Sequence, residues 1–94
     1  MPSPIRIQWT EYMKYRARER ELKLTKLEEI LRHSVERYYD TVTGRSVVVG
    51  RYDRKKLVLI PYEVEQNMIT PVTVHTTTRQ QVKFPLKIRR LIHE

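Results

Sequence analysis

The sequence predicts a single α+β domain in which two N-terminal helices pack on a twisted antiparallel β-sheet. The chain has only 94 residues, which leaves room for one hydrophobic core. Apolar residues recur at helical spacing in the first third of the chain and follow a strand pattern after it. Short polar connections separate the later apolar runs, which favours an antiparallel meander.

Two helices are predicted before the sheet. Residues 5–9 alternate as in a short strand, and Thr10 is then placed to cap a first helix that has Glu11 in its first turn. The second helix is predicted to begin at Thr25, because Thr25 and Glu28 have the spacing of a capping box. An apolar stripe that predicts packing on the sheet follows at Leu27, Ile30 and Leu31.

The rest of the chain reads as strands and a basic tail. Apolar runs at residues 38–42, 46–51, 57–62 and 68–75 predict four strands. Pro61 and Pro71 lie within two of these runs, and each predicts a bulge or a sheet edge because proline has no amide donor. Phe84-Pro85 is predicted to break any helix in the tail. The chain is therefore one domain, residues 1–94, in which residues 82–94 are a basic C-terminal arm, with an extended segment or a short helix as the alternatives.

Composition excludes several classes of protein. The chain has no cysteine, so neither disulfides nor thiolate metal sites are expected. No apolar run approaches the roughly 18 residues of a membrane span, and the N-terminus lacks the apolar core of a secretory signal. We therefore expect a cytoplasmic protein with no membrane partner.

The charge predicts a polyanionic partner. Lys and Arg total 19 against 11 Asp and Glu, which gives a net charge of +8. Clustered cations bind phosphate backbones by releasing counterions, so RNA is the expected partner. A basic surface that only keeps the protein in solution is the alternative.

Conventional enzyme motifs are missing from the sequence. Its only glycines, Gly44 and Gly50, cannot form a glycine-rich phosphate loop. The three histidines are far apart and lack the spacing of a zinc site. We therefore expect neither a metal ion nor another cofactor.

His75 and Arg79 form the main candidate for a catalytic site. His75 ends the last predicted strand, and Arg79 follows it in a Thr-rich segment. Strand alternation turns His75 away from the core if Val72 and Val74 face the core. Histidine can serve as base or acid near neutral pH, and the arginine fork suits phosphate. A structural histidine at a strand end is the alternative.

Further cations and tyrosines are predicted near this pair on the sheet. RNA cleavage without a metal needs a base for the 2′-OH proton, cations for the phosphate and an acid for the 5′-oxygen. Arg51 is the third predicted catalytic residue. The residues predicted to bind RNA are Arg54, Lys55, Lys56, Tyr52 and Tyr62. Packing is the alternative for the tyrosines, and a solvated hairpin tip is the alternative for the cations.

Three stretches resemble the RelE-type toxin fold, and more closely its BrnT-like branch, over about residues 5–81. Ile7-Gln8-Trp9, followed by a helix, is similar to the opening Trp segment of that branch. Residues 47–51 and 57–62, with a short polar gap between them, resemble its central hairpin. Residues 72–75, leading into Thr77-Thr78-Arg79, resemble its last strand.

The resemblance implies a ribonuclease toxin of a toxin–antitoxin pair that cleaves RNA with side chains of the sheet and inhibits translation. The implied partners are RNA, with or without the ribosome, and a cognate antitoxin protein; self-association stays open. Arg51 matches the family's Arg after the hairpin Gly, and Arg79 matches the basic residue of its Thr-Arg pair. The sequence departs from the family at His75, where the branch usually has Arg, and at Arg20-Glu21, where the family has a basic pair.

Two other functions account for the same charge. A non-catalytic RNA- or ribosome-binding module needs no histidine, and steep salt dependence of RNA binding without cleavage would indicate it. A protein-interaction domain with a silent basic surface would bind no RNA even at low salt.

Overall fold

A computed structural model describes residues 5–94 of the chain. They form an α+β arrangement of three helices and one mixed sheet of seven strands, which confirms the predicted class. The sheet order is β1-β5-β4-β3-β2-β7, and β6 also pairs with β4. The helices are α1 (Glu11–Glu19), α2 (Leu24–His33) and α3 (Arg79–Lys87). The strands are β1 (Arg6–Ile7), β2 (Arg37–Asp40), β3 (Arg45–Arg51), β4 (Leu57–Glu65), β5 (Met68–Pro71), β6 (His75–Thr77) and β7 (Leu91–His93).

The sheet is not wholly antiparallel, so this part of the prediction was wrong. β1 runs parallel to β5, with Arg6 opposite Met68, while the other pairings are antiparallel. A parallel pair needs a long connection between its strands. The chain between β1 and β5 provides it, because it contains two helices and three strands.

Helices α1 and α2 pack on one face of the sheet. Ile60 of β4 and Val48 of β3 are fully buried beneath Leu27 and Leu31 of α2 in the same core cluster. Gly50 of β3 lies so close to Ile30 that an added Cβ would be 2.5 Å from the Ile30 Cγ2 atom. The predicted arrangement of two N-terminal helices on a sheet is therefore present, but it is only part of the fold.

The third helix packs on the opposite face of the sheet. Its Val82 is buried with Val47 and Val49 of β3 and Leu57 of β4, and Leu86 packs against the same cluster. Strand alternation explains this division, because Val48 between the two valines faces α1 and α2. The side of the sheet covered by α3 is called the α3 face below.

Helix α3 continues through Pro85, so the predicted helix break there was wrong. A reciprocal capping box between Thr78 and Gln81 stabilises the start of this helix. Pro85 lies in the last turns of α3, where its missing amide hydrogen removes one helical hydrogen bond. Burial of Val82 against the sheet stabilises the helix and offsets the loss of that bond. Residues 82–94 form the rest of α3 and then β7, which pairs with β2.

The two predicted helix starts have different outcomes. The Thr10 side chain accepts a hydrogen bond from the Met13 amide at 3.1 Å, which confirms the cap of α1. α2 begins at Leu24 after Lys23, so the predicted start at Thr25 was wrong. The Lys23 amide donates to the Tyr52 hydroxyl at 2.8 Å. Tyr52 directly follows β3, so this bond holds the residue before Leu24 against the sheet and favours a helix start before Thr25.

The predicted strand over residues 68–75 is divided into β5 and β6. Both strands pair with β4, and the break between them lies beside Pro61. The Val72 amide donates to the Pro61 carbonyl at 2.8 Å. The nitrogen of Pro61, which has no hydrogen to donate, therefore faces the same side, where the break between β5 and β6 lies. Pro61 therefore lies in an inner strand next to a local break. In the part of the chain described, no helix has the length and apolar character needed to cross a membrane.

Candidate functional site

The α3 face contains a groove of about 360 Å³ that α3 leaves uncovered. Its apolar floor includes Val47, Leu59 and Pro61, which come from the two central strands. Polar side chains of the β2–β3 turn, β6 and the segment before β7 surround this floor. The charged or titratable ones are Asp40, Arg45, His75 and Arg90. The groove therefore combines an apolar surface with the guanidinium groups of Arg45 and Arg90.

His75 lies at one side of the groove on the α3 face. It is directly opposite Leu59 of β4, and residues opposite each other in an antiparallel pair share a face. Partial burial, together with the positive charges of Arg16 and Arg20, holds the pKa of His75 below its usual value. The imidazole is therefore largely neutral at pH 7 and able to accept a proton.

Thr73 lines the groove on the same side as His75. The Arg16 Nε atom donates to the Thr73 hydroxyl at 3.3 Å, which brings a guanidinium group of α1 to this side of the sheet. The Arg16 side chain is mostly shielded and also forms an ion pair with Glu19 of the same helix. Burial of His75 is the larger cause of its lowered pKa, and the Arg16 charge adds to it.

Arg79 lies at the start of α3 and is held by an ion pair with Glu36. The Tyr38 hydroxyl donates to the same carboxylate at 2.7 Å, and the His93 ring lies 5.1 Å from the Tyr38 ring. Residues Glu36, Tyr38, Arg79 and His93 are called the Glu36 cluster below. His75 lines the groove, whereas Arg79 does not line it and is paired with Glu36.

Electrostatics within the Glu36 cluster favour the ionised carboxylate. Burial raises the pKa of Glu36, but the hydrogen bonds from Arg79 and Tyr38 and the Arg79 charge lower it below its usual value overall. Burial and the bond to Glu36 raise the pKa of Tyr38 to about 12. The cluster therefore ties α3 and β7 to the start of β2 at neutral pH.

Arg51 and the hairpin cations lie at the end of the sheet, outside the groove. Arg51 shares the α3 face, because it continues the alternation of Val47 and Val49. Its guanidinium donates to the backbone carbonyls of Asp53 and Arg54 at 3.5 and 3.4 Å and so braces the hairpin loop. The side chains of Arg54 and Lys55 are exposed there and Lys56 is half-buried.

The two tyrosines predicted to stack on RNA are both engaged within the protein. The Lys26 and Lys56 ammonium groups lie 4.7 and 5.5 Å from the centre of the Tyr52 ring. Tyr62 is 4% exposed in the core beneath α1 and α2, and Arg37 lies against its ring. Tyr62 has no free ring face on which a base could stack, so it is not part of the proposed RNA interface.

Arg45 and Arg90 are groove residues that the sequence reasoning missed. The Nε atom of Arg45 is buried and has no hydrogen-bond partner within residues 5–94. Strand alternation from Val47 back to Arg45 was a usable signal, since the two residues share a face. Arg90 gave no comparable signal, because its position depends on how β7 pairs with β2.

Comparison with models of protein families, with curated proteins and with solved structures finds no match to this chain. Within the described residues, no three His, Asp or Glu side chains are grouped closely enough to hold a metal ion.

Proposed function

We propose that this protein is the toxin of a toxin–antitoxin pair, a metal-independent endoribonuclease that cleaves mRNA and so inhibits translation. The observation that carries the proposal is the position of His75 beside a groove lined by arginine side chains. The resemblance to the RelE and BrnT-like toxins supports it, as does the pair of N-terminal helices packed on one sheet face.

His75 accepts the 2′-OH proton in the proposed reaction. The 2′-oxygen attacks the adjacent phosphorus and forms a 2′,3′-cyclic phosphate, while the bond between phosphorus and the 5′-oxygen breaks and that oxygen takes a proton from water. Positively charged guanidinium groups stabilise the extra negative charge on the phosphate in the transition state. The lowered pKa of His75 suits the base role, because the neutral form is then present at cytoplasmic pH.

The remaining predicted site residues, except Tyr62, are assigned to RNA contact in this proposal. Arg79 is committed to Glu36, and Arg51 braces the hairpin, so both act by positioning and by their charge. Arg54, Lys55 and Lys56 extend the positive surface beyond the sheet end, where they would meet flanking phosphates. Tyr52 contributes through the two lysines held against its ring.

The proposed partners are RNA, with or without the ribosome, and an antitoxin protein that neutralises the toxin. The proposed location is the cytoplasm, where translation occurs. A gene for a small protein beside the gene for this chain would support the pairing.

Expression in a bacterial host tests the proposal. Wild-type protein is expected to arrest growth and fragment mRNA, and His75→Ala is expected to do neither while accumulating to the same level. Arg18→Met is the matched control, because Arg18 is exposed on α1, does not line the groove and is not among the charges that act on His75. Normal growth and intact mRNA with folded wild-type protein would contradict the proposal.

A non-catalytic RNA-binding module is the second candidate. The exposed cations of the β3–β4 hairpin favour it, since phosphate binding there needs no histidine. RNA binding that weakens steeply with salt, is unchanged by His75→Ala and is accompanied by no cleavage would favour this candidate over the enzyme.

A further inference from the structure

We propose that the groove on the α3 face binds one unpaired ribonucleotide, with its phosphate on Arg45 and its base on the apolar floor. This inference deepens the proposed function, because it names the part of the RNA that the same groove receives. It is carried by the environment of Arg45 and by the shape of the groove.

Among residues 5–94, Arg45 forms no ion pair, although an acidic residue lies directly opposite it. Asp40 of β2 pairs with Arg45 in the strand register. Its carboxylate, however, accepts hydrogen bonds from the Arg90 Nε and Nη2 atoms at 3.3 Å each. The Val42 and Thr43 amides also donate to it, at 2.9 and 3.3 Å. Asp40 is therefore occupied by the turn and by Arg90.

The buried Nε atom of Arg45 is left without an acceptor among residues 5–94. A buried donor without a partner is costly, and native proteins rarely keep one without a reason. A guanidinium group offers paired N–H donors that match two phosphate oxygens. Because Asp40 is already bonded to Arg90, Arg45 can pair with an anion that enters the groove.

The floor of the groove suits a flat apolar ring. Val47 is buried, Leu59 and Pro61 are half-buried, and Leu91 and Pro85 close the end of the groove near α3. A volume of about 360 Å³ is at the small end of the range for ligand pockets. That space suits a single nucleotide and is too small for a base-paired one.

The position of His75 connects this subsite with the proposed chemistry. His75 and Arg45 line the same groove, so a nucleotide held by Arg45 lies beside the imidazole. The base and the phosphate of one nucleotide are then fixed together, which orients its sugar relative to His75. Fixed orientation of this kind lowers the barrier of a reaction by removing motion before the chemical step.

Calorimetric titration of the intact chain with adenosine monophosphate tests the inference, with NMR shifts to locate the ligand. Arg45→Met is expected to weaken binding by at least about tenfold, and Arg45→Lys by less. Arg18→Met is the matched control and is expected to bind as the wild type does. Adenosine and inorganic phosphate, titrated separately, are each expected to bind more weakly than the nucleotide.

Arg45→Met should also fold at least as stably as the wild type, because it removes an unpaired buried donor. Loss of binding therefore cannot be attributed to unfolding when the thermal midpoint is unchanged. Equal nucleotide affinity in Arg45→Met and wild type, or shifts confined to residues outside the groove, would overturn the inference. Inorganic phosphate binding as tightly as the nucleotide would overturn it as well.

The binding measurement is separable from the proposed cleavage. His75→Ala should fail to cleave RNA, while its nucleotide binding should still depend on Arg45. Nucleotide binding that depends on Arg45 in a protein that cleaves no RNA would refute the enzyme and leave the subsite standing. Cleavage by wild type without any Arg45-dependent binding would refute the subsite alone.

Discussion

The two faces of the sheet are built by the same strands but are covered very differently. Within residues 5–94, the cluster beneath α1 and α2 has twelve buried residues, whereas the cluster beneath α3 has six. Two helices pack on the first face, and one helix packs on the second beside the groove. The difference indicates that the first face supplies most of the stability, while the second has less buried core around its groove.

Arginine side chains show the same contrast. Arg37 donates to the Leu31 and Ser34 carbonyls at the end of α2 and to the Tyr62 hydroxyl. Arg45, on the α3 face, has a buried nitrogen with no partner among the described residues. Arg37 stabilises the fold through these bonds, whereas Arg45 keeps a hydrogen-bond donor that can bind a ligand.

The largest expected effect comes from comparing neighbours on β4 that face opposite sides. Ile60→Ala is expected to lower the free energy of unfolding by about 2–5 kcal/mol, because it opens a cavity at a fully buried position. Leu59→Ala removes the same number of carbon atoms from the half-open groove floor and should cost less than half as much. Urea unfolding followed by circular dichroism measures both, and equal losses would contradict the unequal roles of the two faces.

The arginine pair gives the next largest effect. Arg37→Met is expected to cost roughly 1.5–3 kcal/mol, because it removes charge-assisted bonds to the carbonyls that end α2. Arg45→Met is expected to leave the free energy of unfolding unchanged or to raise it. Chemical unfolding of the two variants under the same conditions makes the comparison. A larger loss for Arg45→Met would show that this side chain is structural.

Gly50→Ala tests how closely α2 approaches the sheet. The added Cβ would lie 2.5 and 2.9 Å from the Ile30 Cγ2 and Cγ1 atoms, so the helix must shift. We expect a loss of about 1–3 kcal/mol in thermal unfolding, as for other overpacked cores. In the double variant with Ile30→Ala, the combined loss should be smaller than the sum of the two single losses. Additive losses would contradict a direct clash.

Acid is expected to destabilise the α3 face before the face covered by α1 and α2. This is the smallest of the expected effects. Burial raises the pKa values of Glu36 and Asp40, but bonds from Arg79 and Tyr38 to Glu36, and from Arg90 and turn amides to Asp40, lower both overall. A carboxyl group whose pKa is lower in the folded state stabilises the fold above its unfolded pKa. That stability is lost as the pH falls through the folded pKa.

Hydrogen exchange measured from neutral pH down to about pH 3 checks this prediction. Amides of α3 and β7 should lose protection before those of α1 and α2. Glu36→Gln should reduce the pH dependence of the α3 amides, because glutamine does not titrate. Simultaneous loss on both faces would contradict a specific weakening of the α3 face.

The sequence was sufficient for features determined by neighbouring residues. The Thr10 cap and the stripe of Leu27 and Ile30 depend on contacts within one or two helical turns, and both were predicted. Strand alternation also predicted that His75 faces away from Val74, and Val74 is buried beneath α1 and α2 while His75 lies on the α3 face.

Features that depend on distant pairing were not predictable from the local pattern. The parallel contact of β1 with β5 joins segments about sixty residues apart in the chain. The bonds between Asp40 and Arg90 likewise depend on the pairing of β7 with β2. The position of Arg90 in the groove was missed for this reason, whereas strand alternation from Val47 could have placed Arg45 there.

The central claim is that a neutral His75 beside the groove cleaves RNA, and analysis of the RNA ends tests it most directly. Purified wild-type protein, incubated with single-stranded RNA and a metal chelator, should leave 2′,3′-cyclic phosphate ends. His75→Ala should be at least about 100-fold slower, as expected for loss of a general base, while Arg18→Met should match the wild type. Intact RNA with folded wild-type protein, or equal rates with and without the imidazole, would contradict the account.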